Sequence, residues 1–142
     1  HHMSSPHPEG LGARVAIEAA LQSAGLRPDQ IDYINLHGTA TLTNDAAEDK
    51  AVFGIFGDRV PASSTKGATG HTLGAAGAIE AIICALALTH GLMPGGGINS
   101  VEADPVLRTR YLIDNLHAPL RYALSNSFGF GGTNCALAFG VA

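Results

Sequence analysis

Apolar and polar residues follow one another along the chain in blocks that predict alternating helices and short strands. Residues 11–23 carry apolar side chains at the spacing of one helix face, and Gly25 is a typical residue to end that helix. Residues 31–36 form a short apolar run, which predicts a buried strand. Residues 60–63 predict a second short strand.

A second helix is expected between these strands. Asn44 is a good N-cap for a helix over residues 45–56, and Gly57 is expected to end it. Further strand candidates lie towards the C-terminus, at residues 112–113, 123–127 and 134–139. Strand–helix alternation followed by a closing hairpin predicts an α/β fold with a mixed sheet.

Residues 72–90 predict the longest helix of the chain. Its side chains are small or apolar on every face, so we expect it to be buried on all sides. Glu80, near its middle, would cost about 2.5 kcal/mol or more in lipid, which argues against a membrane span. A buried carboxylate needs a partner, and Lys66 is the natural candidate if the loop before His71 folds back along the helix. Backbone donors or an ion are the alternative.

Composition narrows the functional classes. The 142-residue chain has a net charge of −4 and no run of basic residues, which argues against nucleic acid and anionic membranes as partners. Charged residues make up only 14%, so we expect a portion of a larger protein or a subunit with an extensive interface. Two cysteines at unrelated spacing predict neither a disulfide framework nor a metal site, which suits a reducing cytoplasm, and no signal peptide is apparent.

Two short motifs carry the candidate chemistry. Residues 35–41 (Asn-Leu-His-Gly-Thr-Ala-Thr) and 64–71 (Ser-Thr-Lys-Gly-Ala-Thr-Gly-His) each set a histidine among glycines and threonines. His37, His71 and Lys66 would bring two imidazoles and one ammonium to a single polar centre. Such groups donate hydrogen bonds to a developing oxyanion or enolate. His71 is expected to open a helix whose positive end favours its neutral form.

A nucleophile to accompany these donors is not apparent. Cys84 lies in mid-helix among apolar residues, where a thiolate is disfavoured, and Cys135 falls in a strand pattern. We interpret both cysteines as inert core residues. The glycine-rich turn 129–132 lies between two strands rather than before a helix, so it is not a nucleotide-binding loop.

Three segments, residues 35–41, 64–77 and 125–134 (Ser-Asn-Ser-Phe-Gly-Phe-Gly-Gly-Thr-Asn), together resemble the C-terminal part of a β-ketoacyl-acyl-carrier-protein synthase. The resemblance covers nearly the whole chain and implies that residues 1–142 form the C-terminal portion of such an enzyme. It implies a thiolase-like layered α/β fold (α-β-α-β-α), in which this half holds a mixed sheet and a central buried helix. It also implies that the nucleophilic cysteine belongs to an N-terminal half that is missing here, so this fragment alone is expected to be inactive.

The resemblance implies catalytic roles for three residues. His37 and His71 would hold the oxygen of the malonyl thioester during decarboxylation and condensation. Lys66 would order the site, with Glu80 as its structural support.

The resemblance also implies substrate-binding roles. Thr39 and Thr41 would meet the phosphopantetheine arm, and Phe128 would be the gate between the acyl and malonyl compartments, with Phe130 close by. Ala40, where relatives often carry serine, is a mild departure from the family pattern. In some relatives a structural cation is surrounded by a set of residues that four positions here resemble, namely Asn35, Glu80, Ser125 and Asn126.

The implied function is decarboxylative Claisen condensation of malonyl-acyl-carrier-protein with an acyl thioester, in fatty-acid or polyketide synthesis. No bound cofactor or catalytic metal is expected, because phosphopantetheine arrives on the acyl carrier protein. Expected partners are that carrier protein, the missing N-terminal half, and a second subunit in a homodimer or heterodimer. The alternative is a non-catalytic subunit that resembles a chain length factor, which need not keep the histidines and the lysine. A degradative thiolase is a weaker reading, because its base is a second cysteine in a different motif.

Overall fold

The computed structural model describes residues 2–141 and shows helices packed on both faces of one mixed sheet. The helices are α1 (Leu11–Ala24), α2 (Leu42–Phe56), α3 (Lys66–Thr69) and α4 (Ala76–His90). The strands are β1 (Tyr33–Asn35), β2 (Ala62–Ser63), β3 (Leu92–Met93), β4 (Leu116–His117), β5 (Tyr122–Phe128) and β6 (Asn134–Gly140).

The main sheet has the strand order β2-β1-β5-β6, and β3 pairs with β4 in a separate two-stranded sheet. Strand β1 lies at the centre and pairs in parallel with both β2 and β5. Strands β5 and β6 form an antiparallel hairpin in which Phe128 lies opposite Asn134. The predicted mixed sheet and its closing hairpin are therefore confirmed.

Each face of the sheet buries its own apolar core because side chains alternate along a strand. Ile34 of β1 and Leu124 of β5 point towards α1 and α2, where they pack against Ile17 and Phe56. The neighbouring strand residues point the other way, where Tyr33 and Ala123 pack against Cys84 and Ala87 of α4. This gives three layers in the order α-β-α.

The predicted ends of the first two helices agree with the structure, but the start of the second does not. Gly25, with φ 65°, follows α1 in the left-handed conformation, and Gly57 follows α2. Helix α2 begins at Leu42 rather than Asp45, because Thr41 already accepts the first helical hydrogen bond from the Asp45 N–H, at 2.9 Å. The predicted N-cap, Asn44, lies inside the first turn.

The long helix is shorter than predicted and exposed on one face. Leu73 has a φ of 52°, which no α-helix accommodates, so a 3-10 turn over Leu73–Ala75 precedes α4. The side chains of Ile82 (59% exposed) and Leu86 (52% exposed) face away from the sheet, so the prediction of burial on all sides is wrong for this chain. The reason is that the sheet covers one face of α4 and no described element packs on the other.

Residues 73–90 are long and apolar enough to cross a membrane, with a mean hydropathy of 1.7. Within this fold, however, α4 packs against β5 and buries Glu80 and Cys84. These contacts cover one face of α4. The predicted strand at residues 112–113 is not formed. The neighbouring Tyr111 makes a single β-bridge to Ala62.

Candidate active site

The two histidine motifs and the glycine-rich turn meet at one edge of the sheet. Parallel strands present their carboxyl ends to the same edge, which is where α/β proteins commonly bind ligands. His37 follows β1, Lys66 follows β2, and Phe128 is the last residue of β5. The main-sheet topology therefore brings together segments that are about 30 to 90 residues apart in sequence.

Lys66 is the buried cation at the centre of this edge. Its Nζ donates hydrogen bonds to a carboxylate oxygen of Glu80 and, at 2.5 Å, to the backbone carbonyl of His37. The side chains of Lys66 and Glu80 are 7% and 2% exposed. The expected contact between them is therefore present, because the loop before His71 does fold back beside α4.

The two imidazoles converge beside this ion pair. The ring centroids of His37 and His71 are 5.6 Å apart, with an interplanar angle of 85°. The Phe128 ring lies 5.7 Å from that of His37. Burial, together with the positive charge of Lys66 and the neighbouring His71, lowers the pKa of His37 to about 4. His37 is therefore a neutral imidazole near pH 7 and has one N–H to donate.

His71 is placed differently from the prediction. It does not open a helix, since α4 begins only at Ala76, so the helix-end argument for its neutral form does not apply. Its ring is exposed, and its Nδ1 accepts a hydrogen bond from the backbone N–H of Leu73 at 3.4 Å. In the neutral ring this contact places the proton on Nε2, which is then the nitrogen that can donate to a substrate oxygen.

Glu48 is a site residue that the sequence reasoning missed. This buried side chain of α2 accepts hydrogen bonds from the backbone N–H groups of His37 and Gly38, both at 2.9 Å, and from Asn126 Nδ2 at 3.1 Å. Burial raises the pKa of Glu48, and these three donors oppose the shift. The one indication in the sequence is that Glu48 lies among Ala47, Ala51 and Val52, the small and apolar residues of the buried side of α2.

Gly38 is required where the loop after β1 passes the segment after β2. Its φ is 38°, and a Cβ at this position would lie 2.4 Å from the Cβ of Ser64. Because the two segments lie so close, the Ser64 hydroxyl can donate a hydrogen bond to the carbonyl of Gly38, at 2.7 Å. A larger residue here would push the two motifs apart.

The predicted substrate-binding threonines lie on the loop that follows. The Oγ1 atoms of Thr39 and Thr41 are 2.9 Å apart, and Thr41 is exposed at the start of α2. Both threonines follow His37 closely along the chain, on the loop that leads into α2.

The two phenylalanines at the glycine-rich turn differ in burial and in backbone setting. Phe128 is half-buried and belongs to β5, where pairing with Asn134 fixes its backbone. Phe130 lies in the turn itself, flanked by the glycines of residues 129–132, and is 82% exposed. The gating role expected of Phe128 stays a prediction.

Neither cysteine lies in a setting that activates a thiol. Cys84 is buried, and burial, together with the charge of Glu80, raises its pKa to about 12. Cys135 is exposed rather than part of the core, which corrects the prediction for that residue. It lies on the edge strand β6, whose outer side no described strand covers.

Three buried polar atoms of the site have no hydrogen-bond partner among residues 2–141: Asn35 Oδ1, Asn126 Oδ1 and His37 Nδ1. The two amide oxygens belong to the set that resembles a cation site. Uncharged oxygen atoms are ligands that hard cations accept, so these residues fit such an ion. Within the same residues, no group of three or more histidine, cysteine or acidic side chains forms a metal centre.

Known proteins resemble this chain both in fold and in sequence family. The mixed sheet and its helices form the thiolase-like α/β fold, as in a solved ketosynthase from Xenorhabdus doucetiae in complex with its chain length factor. That match has a TM-score of 0.93 and 49% identity over 99% of this chain and 36% of the solved one. The family model for the C-terminal domain of beta-ketoacyl synthases matches residues 1–96. The chain therefore belongs to the beta-ketoacyl synthase family.

Two further proteins are similar to nearly the whole chain. The mitochondrial 3-oxoacyl-acyl-carrier-protein synthase of Arabidopsis thaliana is 46% identical over 146 residues, which cover 98% of this chain and 32% of the relative. A type II polyketide ketosynthase solved with its acyl-carrier protein matches with 29% identity and a TM-score of 0.93, over 100% of this chain and 36% of that chain. The chain thus spans about a third of the length of the relatives it matches.

Proposed function

We propose that this chain supplies the histidine and lysine part of the active site of a condensing enzyme. The reaction is the decarboxylative condensation of malonyl-acyl-carrier-protein with an acyl thioester, in fatty-acid or polyketide synthesis. The observation that carries the proposal is the approach of His37 and His71 to 5.6 Å beside a buried Lys66. The names of the relatives, which are 3-oxoacyl-acyl-carrier-protein synthases and ketosynthases, support the same chemistry.

The residues of this chain act on the malonyl half of the reaction. Loss of carbon dioxide leaves an enolate oxygen, and the rings of His37 and His71 each donate one hydrogen bond to it. Lys66 holds the loop of His37 by its carbonyl and is itself neutralised by Glu80. Thr39 and Thr41 bind the phosphopantetheine arm, and no cofactor resident in the chain is required.

The remaining parts of the enzyme lie outside this chain. The acyl group is carried by a cysteine elsewhere in the full-length protein, and the exposed face of α4 packs against that part. An acyl carrier protein and a second subunit complete the assembly, since a relative was solved with its carrier protein and another with its chain length factor. A cytoplasmic location stays a prediction.

The full-length enzyme provides the test of the proposed function. Malonyl-carrier substrate and an acyl-carrier substrate should yield carbon dioxide and a 3-oxoacyl thioester in equal amounts. A non-catalytic subunit resembling a chain length factor would yield neither product, and that outcome would replace the proposal with this alternative. The assembled pair of histidines favours the enzyme, because a non-catalytic subunit has no need of it.

We expect the acyl group to attach to neither cysteine of this chain. After the full-length enzyme reacts with acyl-carrier substrate, peptide mapping by mass spectrometry should find the adduct outside residues 1–142. The reason is that Cys84 is buried with a raised pKa, and Cys135 has no described basic partner. The 142-residue chain alone should also take no label. Stoichiometric adducts on Cys84 or Cys135 would contradict the proposed division of the site.

The two phenylalanines should respond differently to truncation. We expect Phe130→Ala to slow the two-substrate reaction while leaving the free energy of unfolding nearly unchanged, because the exposed ring lies in the glycine-rich turn next to Phe128. Phe128→Ala removes a half-buried ring that contacts His37, so we expect it to lower the free energy of unfolding. A fully buried Phe→Ala change costs about 3–5 kcal/mol, which is the upper limit for this variant. Urea unfolding of both variants measures the change in stability, and their turnover measures the change in reaction rate. Normal turnover in Phe130→Ala would show that this residue gates nothing.

A further inference from the structure

Two buried hydroxyl groups lie on the strands that lead into the site, and the proposed chemistry gives them no part. Tyr33 of β1 and Ser63 of β2 are both fully buried, and their hydroxyl oxygens are 2.7 Å apart. The Ser63 hydroxyl donates its one proton to the backbone carbonyl of Pro94, at 2.5 Å. The proton between the two hydroxyls is therefore that of Tyr33. Burial raises the pKa of Tyr33, so this proton stays in place.

Pro94 begins a stretch, residues 94–99, that we call the glycine segment. One side of this segment is packed tightly against Tyr111, because a Cβ on Gly96 would lie 1.9 Å from the Tyr111 hydroxyl. The backbone N–H of Gly96 also donates to the carbonyl of Leu112, at 2.9 Å. The segment therefore has no room to shift towards this side, and the buried hydroxyl pair holds the end at which it begins.

The other end of the glycine segment is bonded to α3. Asn99 Nδ2 donates a hydrogen bond to the carbonyl of Gly67, at 3.0 Å. Helix α3 has only four residues, too few to be stable without contacts from the rest of the protein. One such contact is the ion pair of Lys66 with Glu80. The glycine segment supplies a second support for α3 that does not depend on this ion pair.

We propose that Ser63 is a positioning residue for Lys66. Its hydroxyl holds Pro94, and the glycine segment that starts there keeps α3 in place. Lys66, the first residue of α3, then reaches the backbone carbonyl of His37, at 2.5 Å. The consequence for catalysis rests on the proposed function. The claim about α3 does not, because the protection of its backbone N–H groups can be measured without any reaction.

Tyr33 offers a matched control, because it shares one hydrogen bond with Ser63 but does not contact the Pro94 carbonyl. Tyr33→Phe and Ser63→Ala both remove the bond between the two hydroxyls, in the same buried place. Only Ser63→Ala also frees the Pro94 carbonyl. In Tyr33→Phe the Ser63 hydroxyl still donates to Pro94, so the glycine segment stays held.

The experiment compares these two variants in the full-length enzyme. We expect kcat for malonyl decarboxylation to fall at least about 10-fold in Ser63→Ala with KM little changed, since small displacements that reach a site from outside have effects of this size. Tyr33→Phe should keep its kcat. The double variant Tyr33→Phe, Ser63→Ala leaves no buried hydroxyl without a partner. It should therefore unfold at a higher temperature than Ser63→Ala and still be as slow.

Asn99→Ala tests the other end of the glycine segment and covers the case in which Ser63→Ala does not fold. Asn99 is exposed, so its truncation should leave the thermal stability of the enzyme nearly unchanged. Because it frees α3 from the segment, we expect the same kind of change, a lower kcat with KM little changed. A normal kcat in Asn99→Ala would contradict the proposed support of α3.

Hydrogen exchange, measured by mass spectrometry, separates this inference from the proposed function. In Ser63→Ala the N–H groups of residues 68–70, which are bonded within the turn of α3, should exchange faster than in the wild type. Those of β5 should exchange at the wild-type rate, and Tyr33→Phe should change neither. An inactive wild-type enzyme would remove the proposed function, while this comparison still decided the role of Ser63. Unchanged exchange of residues 68–70 in Ser63→Ala, or equal losses of kcat in Ser63→Ala and Tyr33→Phe, would overturn the inference.

Discussion

Replacing either histidine should nearly abolish malonyl decarboxylation by the full-length enzyme. We expect His37→Ala and His71→Ala each to lower this rate by about 100-fold or more, which is the usual effect of removing one donor to a developing oxyanion. Transfer of the acyl group to the nucleophilic cysteine should persist in part, because the two imidazoles act on the enolate and not on the thiol. The measurement is the release of labelled carbon dioxide beside a separate acyl-transfer assay.

The control for this prediction is His90→Ala. His90 is an exposed residue at the end of α4, remote in sequence from both motifs, and its loss should leave both half-reactions unchanged. Near wild-type decarboxylation in both His37→Ala and His71→Ala would show that the histidines are structural, and the proposed mechanism would then fail. Equal loss of acyl transfer and decarboxylation would point instead to collapse of the site.

The largest effect on stability is expected from Lys66→Met. This change leaves the Glu80 carboxylate buried with only the Ser127 hydroxyl, at 3.5 Å, as a remaining described donor. Breaking a buried ion pair from one side typically costs about 3–5 kcal/mol of unfolding free energy. The change also removes the donor to the carbonyl of His37, so we expect decarboxylation to be lost in the folded fraction. Urea unfolding of the full-length enzyme measures the first effect.

The chain offers an exposed ion pair for comparison. Lys50 pairs with Glu9 at 2.6 Å, but their side chains are 41% and 70% exposed, so Lys50→Met should cost no more than about 1 kcal/mol. The double variant Lys66→Met, Glu80→Leu should recover much of the lost stability, because no uncompensated charge remains, while decarboxylation stays low. A Lys66→Met variant as stable as Lys50→Met would contradict the assigned burial of this pair.

Local sequence signals were sufficient for the ends of elements and for the central strands. Gly25 and Gly57 end their helices as predicted, since only glycine enters the required conformations without strain. The short apolar runs became β1 and β2, and the alternating segments around the glycine-rich turn became the β5–β6 hairpin. The start of α2 was placed three residues too late, because a backbone acceptor at Thr41 does not depend on the side chain of Asn44.

The late start of α4, at Ala76 rather than directly after His71, could not be predicted from composition. Leu73 has a positive φ, an unusual state for a leucine that its own conformational preference does not predict. The same loop geometry turns the Leu73 N–H towards His71 and brings Lys66 to Glu80. A spacing of residues along an ideal helix predicts none of these contacts.

The amino-acid sequence alone indicates the family, the segments that carry the site, and His37, His71 and Lys66 as candidate donors. These features depend on short motifs in a fixed order. The tertiary structure was needed to show that Glu48 holds the backbone of His37. It also decided that one face of α4 is left exposed in this chain. These features depend on which strands lie side by side and which surfaces they cover, and no local pattern encodes them.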